Sequence, residues 1–248
     1  MSGIQNKLCV KALNKLLSKG YNCNQFIEGS QILMFHNIIQ KENIVKDHSE
    51  YSTTEKRFIE IIKWYKNQNY EFISLDELYT RIEDNSLTDK EAVITFDDGF
   101  ESVYSVALPI LNEFRIPFVA YITSDYINTS DYLSEIQLKL LSDNNLCTIG
   151  CHTKSHPMTR YLLKREIIFE CKTSKETIER IIQKKIEHFA FPYGSFYACS
   201  CSDAAIIKST HLFKTISTTR RKNIKHNSNI NFLPRIDASK CSWIDSID

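Results

Sequence analysis

The chain has 248 residues, enough for one large core and too few for two, and its 42% hydrophobic and 25% charged residues are ordinary globular values. Lys and Arg number 31 against 30 Asp and Glu, a balance that offers no electrostatic case for nucleic acid or an anionic membrane as partner. With only six glycines there is no phosphate-cradling loop, and no Gly-x-Ser-x-Gly elbow occurs, which disfavours nucleotide hydrolysis and ordinary serine hydrolase chemistry.

At the N-terminus, Lys7, Lys11 and Lys15 interrupt the apolar residues of 8–17, so no core of export-signal type is expected there, and nothing along the chain reaches membrane-spanning length. Leu8, Ala12, Leu13, Leu16 and Leu17 fit one face of a short amphipathic helix that Gly20 could end. This is expected to be a helical extension over 1–30, docked onto a main domain over 31–248, with a dimer or membrane-surface contact as the sharper alternative. Short, mostly apolar runs at 32–35, 72–73, 93–96, 118–122, 148–151, 188–191, 213–217 and 232–236 read as strands. Helical stripes separate them. Phe58, Ile61, Ile62 and Tyr65 follow Thr54 at helical spacing, Ser74 and Glu77 spell a capping box, and Ile167, Cys171, Ile178, Ile181 and Ile182 stripe a long helix over 162–185. Repeated strand-helix units imply a parallel sheet, closed or nearly closed.

Chemistry concentrates at two strand ends. Asp97 and Asp98 close the run Ala92, Val93, Ile94, Phe96, and buried carboxylates need a cation or a reacting centre to compensate them; Gly99 lets the chain turn out of the strand so that both can face one cleft. An Asx-type turn is the plainer reading of Asp-Asp-Gly. His152 and His156 follow the second strand end at i and i+4, a spacing that reaches one metal through a single turn, although two surface histidines in a polar loop would look the same. Two histidines and a carboxylate together form an open three-ligand set suited to catalytic zinc or a related divalent metal.

Eight cysteines read as reduced thiols of a cytoplasmic protein. Cys147 and Cys151 precede the histidines, but Cys151 and His152 are strand neighbours and should point to opposite faces, which argues against a structural Cys2His2 site. Arg220, Arg221 and Lys222 form the one basic cluster and read as a solvated loop.

At Thr95 to Gly99 and His152 to His156 the chain resembles the NodB-homology polysaccharide deacetylases, carbohydrate esterase family 4, whose first two motifs are Thr-Phe-Asp-Asp-Gly and His-Ser/Thr-x-x-His. Phe189 to Gly194 is similar to the third motif, and 32–37 and 70–78 resemble segments of bacterial members. The resemblance spans about 31–237 and implies an α/β fold: a distorted (β/α)7-type barrel forming a single domain. Functional residues of such barrels gather at the carboxyl ends of strands, where His36, Asp97, Asp98, His152, Pro192 and Tyr193 all fall.

The resemblance further implies removal of an N-acetyl group from an amino sugar in a polysaccharide or glycan precursor. Asp98, His152 and His156 would hold a divalent metal, zinc by ligand type, Asp97 would be the general base on the water nucleophile, and Pro192 with the Tyr193 N–H would face the developing oxyanion. An N-acetylated saccharide is then the expected partner. Two departures from the family pattern follow. Ala190 stands where many members have the Arg that orients the catalytic Asp, and the terminal Leu-x-His is replaced by Leu233-Pro234-Arg235-Ile236-Asp237. Arg235 is the candidate substitute for that Arg, and His36 the candidate acid, unless His36 is simply a satisfied strand-end histidine. Carbohydrate O-deacetylation and a catalytically silent metal- and glycan-binding domain are the alternatives.

Overall fold

The computed structural model describes residues 26–40 and 51–241, and the amphipathic helix expected over 8–17 lies outside them. Glu28–Ser239 form one compact unit. Its sheet contains β1 (Gln31–Phe35), β4 (Glu71–Phe72), β5 (Glu91–Phe96), β6 (Phe118–Ile122), β7 (Cys147–Cys151), β8 (His188–Ala190), β9 (Thr215–Ser217) and β10 (Ile236–Asp237), while β2 (Asn37–Ile39) and β3 (Ser52–Thr54) pair separately. All pairings are parallel, in the order β10-β1-β5-β6-β7-β8-β9, with β4 added at the start of β5. The seven strands of the main path curl into the distorted (β/α)7 form that the sequence suggests.

Helices α1 (Glu55–Asn67), α2 (Leu75–Glu83), α3 (Leu108–Phe114), α4 (Glu135–Asp143), α5 (Lys164–Ile182) and α6 (Cys201–Lys208) supply the crossovers. Thr54 caps α1 by accepting the Arg57 N–H at 3.2 Å, and Phe58, Ile61, Ile62 and Tyr65 are its buried stripe, as their spacing predicts. Of the α5 stripe, Ile167, Cys171, Ile178 and Ile182 are buried, and the helix is shorter than 162–185 at both ends. The capping box expected at α2 is only half formed. Ser74 accepts the Glu77 N–H, but the Glu77 carboxylate accepts from Arg81 Nε at 2.9 Å.

The strand expected over 232–236 is displaced for a definite reason. Pro234 has no N–H to give to a ladder. Leu233 pairs with β9, its N–H donating to Ile216 O and its carbonyl accepting from Thr218 N, both at 2.8 Å, and beyond the proline Ile236 and Asp237 pair with Leu33 and Met34 of β1. The short stretch Leu233 to Asp237 therefore bridges the two edges of the curled sheet, with Arg235 between the two contacts.

Strand alternation sorts the core. Ile32, Val93, Val119, Tyr121, Ala190 and Leu233 meet in one cluster, to which α2 adds Leu75, Leu78 and Ile82. On the other side of β5, Phe96 packs among Phe35, Phe58 and Phe118 with ring centroids 5.8 Å away in each case. Cys151, Phe189, Phe191 and Ile216 pack with Ile167 and Cys171 of α5 and with Ala204 and Ile207 of α6. Cys151 donates its thiol toward Cys171 O at 3.9 Å, whereas His152 turns to the opposite side, as neighbouring strand residues must. Burial pushes the Cys151 thiol up to about 11.

Candidate active site

Each potential site residue stands where a strand gives way to a loop, and the backbone there is unusual. Asp98 has φ of 74°, Thr153 68°, His156 59° and Tyr193 60°, all in the left-handed region that side chains other than glycine seldom enter. Such conformations persist where surrounding bonds over-determine them, and they cluster at functional sites. Gly99 and Gly194 continue two of these turns at 88° and 55°. At Gly194 the approach is also close, because a Cβ there would lie 2.4 Å from Thr219 N.

Asp97 extends the alternation of Val93 and Thr95 and is buried at the sheet's interior. Arg235, fully buried, donates to it with both terminal nitrogens, Nη1 to Oδ1 at 2.6 Å and Nη2 to Oδ2 at 2.7 Å. The guanidinium is itself fixed: Nε donates to Thr218 O at 2.9 Å, Nη1 to Thr95 Oγ1 at 3.1 Å, and the Tyr121 ring lies 5.3 Å from Cζ. Burial is the largest single influence on Asp97 and opposes its ionisation, but the charge and hydrogen bonds of Arg235 together with the nearby His152 outweigh it, so the carboxyl is held below its usual range.

Asp98, His152 and His156 converge so that one donor atom from each lies within 4.8 Å of the others. Asp98 Oδ1 is 3.4 Å from His152 Nε2 and 3.1 Å from His156 Nε2. His152 Nδ1 contacts Ala190 O at 2.8 Å. A carbonyl can only accept, so Nδ1 carries the proton and, in the neutral ring, Nε2 presents its lone pair to Asp98. Buried Asp98 Oδ1 has no hydrogen-bond donor, although the imidazoles are so near. Burial is the largest single influence on the Asp98 carboxyl and raises it, but the adjacent His156 and His152 together outweigh it and hold the carboxyl well below the usual range. An orphaned carboxylate oxygen facing two ring nitrogens is a donor set that fits a divalent cation with three protein ligands.

Pro192 and Tyr193 follow β8. Tyr193 O accepts from Thr219 Oγ1 at 2.6 Å, and the Tyr193 ring stands 4.7 Å from that of His156. Among the described residues the Tyr193 N–H donates to no protein acceptor. His36, half-buried after β1, has its ring 5.3 Å from Tyr51 and is near enough for its charge to act on both Asp97 and Asp98. Ala190 is buried on the inner face, and its carbonyl orients His152.

Several neighbours were not apparent from the motifs. Tyr126 and Tyr132, on the loop after β6, have ring centroids 4.6 Å apart; Tyr132 stacks on Phe100 at 4.7 Å and Tyr126 lies 6.0 Å from His156. Burial, with Asp98 nearby, raises both phenols. With Tyr193 they line the ligand cluster with aromatic rings; the available signal was two tyrosines in a polar loop directly after a strand end. The Arg220 cluster also needs correction as a solvated loop. Arg220 Cζ lies 4.0 Å from the Phe196 ring centroid and 4.2 Å from that of Phe232, and Nη2 donates to Cys199 O.

The family model for polysaccharide deacetylases matches residues 84–208. A poly-beta-1,6-N-acetyl-D-glucosamine N-deacetylase of Staphylococcus aureus is 24% identical over 235 residues, covering 86% of this chain and 80% of its own. A protein of the same name from Staphylococcus epidermidis is 24% identical over 162 residues, 60% of this chain and 56% of its own. Among solved structures, IcaB from Ammonifex degensii superposes with a TM-score of 0.74 at 22% identity, covering 88% of this chain and 97% of that one. The Streptococcus pyogenes deacetylase PplD in complex with acetate gives 0.73 at 21% identity, covering 86% and 93%. With its matched segment containing both the Asp97-Asp98 turn and the His152 to His156 loop, the chain belongs to the polysaccharide deacetylase family.

Proposed function

We propose that this protein hydrolyses the N-acetyl groups of a saccharide, with a β-1,6-linked N-acetylglucosamine polymer as the first substrate to test. The substrate is suggested by the names of the staphylococcal relatives. The observation that carries the reading is the pairing of a three-donor cluster with a second ionised carboxylate outside it, since Asp97 Oδ2 lies 3.9 Å from His152 Nε2 while Asp97 is held by Arg235.

Asp98, His152 and His156 would hold a divalent metal, zinc by ligand type, which supplies Lewis-acid polarisation to the acetyl carbonyl and to water. Asp97 takes a proton from the attacking water as general base. Arg235 occupies one lone pair of each Asp97 oxygen and keeps the carboxylate ionised and aimed, while the second lone pairs remain to receive that proton. As water oxygen bonds to the acetyl carbon, negative charge develops on the carbonyl oxygen, and the free Tyr193 N–H is the donor placed to meet it. His36 protonates the departing nitrogen as the carbon–nitrogen bond breaks, giving acetate and a free amino sugar. Tyr126, Tyr132 and Tyr193 offer ring faces and hydroxyls to the sugar.

Acetate release from β-1,6-linked N-acetylglucosamine oligomers, compared with O-acetylated oligosaccharides at the same zinc loading, tests this reading. Release from the N-acetylated series is expected. Release only from the O-acetylated series would make the protein an esterase, and release from neither would favour a silent glycan-binding domain.

A further inference from the structure

The His152 to His156 loop carries two of the proposed ligands on a backbone that is left-handed at Thr153 and again at His156 (φ 68° and 59°). Thr153 is β-branched, so its conformation is a genuine outlier and something must enforce it. Ser124 and Asp125 N–H donate to the carbonyls of Thr153 and Lys154 at 3.2 and 2.9 Å, and the remaining enforcing groups come from α5. Glu170, buried there, accepts the consecutive backbone N–H groups of Lys154 and Ser155 on Oε2 at 2.9 and 2.8 Å, and the Ser155 hydroxyl on Oε1 at 2.8 Å. One turn along, Ser174 Oγ donates to Thr153 O at 2.8 Å. Two successive N–H groups converging after a left-handed residue make an anion-binding nest, and here a carboxylate of the chain itself fills it. Among the described residues Glu170 makes no salt bridge; its partners are this loop.

We propose that Glu170 is a positioning residue for the metal site, setting the turn that brings His156 Nε2 onto Asp98 beside His152; this rests on the reading of Asp98, His152 and His156 as metal ligands. The segment between the histidines makes one bond of its own, from His156 N–H to Thr153 Oγ1 at 3.1 Å, but the Lys154 and Ser155 N–H groups that follow the left-handed Thr153 find no acceptor within the loop. Glu170 supplies acceptors to both, and Ser174 caps the carbonyl between them and the strand. Removing the carboxylate would take from two consecutive part-buried N–H groups their common acceptor and free the turn to relax, moving His156 relative to Asp98.

The test compares the full chain with Glu170→Ala, Glu170→Gln, Ser174→Ala and, as control, the exposed Glu176→Ala on the same helix. Zinc ion alone is the probe, its dissociation constant measured by competition with a chromophoric chelator, alongside circular dichroism and the melting temperature of the metal-free protein. Glu170→Ala should bind zinc roughly ten- to a hundredfold more weakly. Glu170→Gln should restore the affinity, because its carbonyl oxygen can accept both N–H groups and its amide can donate to Ser155 Oγ. A structural role alone would lower the melting temperature of Glu170→Ala and leave the zinc constant of the folded protein unchanged, which would overturn the inference. Gln weakening zinc as much as Ala would overturn it too, by showing that charge and not the turn is at stake. If Glu170→Ala does not fold, Ser174→Ala carries the same expectation, and wild-type affinity in that variant would count against the proposal. A wild-type chain that takes up no zinc would instead bring down the metal-site reading, and this inference with it.

Discussion

Arg235 reaches Asp97 across the barrel interior from a segment 138 positions later in the chain and grips both carboxylate oxygens, at 2.6 and 2.7 Å. Its placement follows from Pro234. Because the proline interrupts pairing between Leu233 and Ile236, Arg235 sits where the chain passes from β9 to β1, and its buried side chain reaches Thr95 and Asp97 with the Tyr121 ring beside it.

Replacing Arg235 by Met should therefore destabilise the protein strongly, since Asp97 would be left buried and unpaired; the expected cost is about 3–5 kcal/mol. Arg235→Lys keeps a charge but cannot bridge both oxygens, so it should fold better than Arg235→Met and still turn over slowly. Urea unfolding midpoints of the three proteins check the order. A Met variant as stable as the parent would mean that the pair contributes nothing to the fold.

Gly150 on β7 faces the Tyr121 ring, which backs Arg235. A Cβ at Gly150 would lie 2.4 Å from Tyr121 Cδ1 and 3.3 Å from the His188 carbonyl, so Gly150→Ala must displace the ring. The expected destabilisation is on the order of 1–3 kcal/mol. Adding Tyr121→Leu should recover part of it by removing the clash, a coupling that a double-mutant cycle measures. Strict additivity would show that the ring is not what Gly150 accommodates.

The strand ends, and with them Asp97, Asp98, His152 and His156, were legible because apolar runs and two-residue alternation fix which side chains leave the sheet together. Arg235 could be named as the substitute partner of Asp97, and it does bond there; its route was not legible, since it depends on a long-range pairing that Pro234 shifts by residues no local pattern reveals. Tyr126, Tyr132 and Glu170 were illegible for a different reason. Aromatic residues in loops and a glutamate on a helix are ordinary locally, and their meaning arises from what the fold sets opposite them. Arg220 shows the same limit: a basic run reads as solvated until two phenylalanines, 196 and 232, are found on its faces.

Glu91, at the opposite end of β5 from Asp97, gives a pH-dependent prediction. It is buried and accepts from Thr88 N at 2.8 Å, Thr88 Oγ1 at 3.0 Å, Arg81 Nη1 at 3.1 Å and the Ser30 hydroxyl. Burial raises its carboxyl, but the hydrogen bonds with Ser30, Thr88 and Arg81 prevail and leave it below the ordinary 4.5. A folded-state value depressed below the unfolded one means that the stabilisation is complete above 4.5 and is lost as pH falls from there through the folded value. Glu91→Gln should lower stability near neutral pH and flatten the acid limb, which urea midpoints across a pH series would show. An unchanged acid limb would assign acid unfolding to other carboxyls.

The separation of the proposed base from the proposed ligand set is the sharpest test of the site. Of the two histidines in the proposed ligand set, His152 is the nearer to Asp97, with Nε2 3.9 Å from Oδ2, whereas Asp98 Oδ1 lies 3.1 Å from His156 Nε2. Asp97→Asn should therefore keep its metal. It should also lose most acetate release, on the order of a hundredfold or more, because an amide of nearly the same shape cannot take up the water's proton. Some stability should go with it, since the amide NH2 would face a guanidinium nitrogen that now donates to a carboxylate oxygen. His152→Ala with His156→Ala should behave in the opposite manner, emptying the site of metal while leaving the Asp97–Arg235 pair in place. Elemental analysis beside the acetate assay separates the two classes. Undiminished release from Asp97→Asn at full metal occupancy would place the base elsewhere, and unchanged metal in the double histidine variant would remove His152 and His156 from the ligand set.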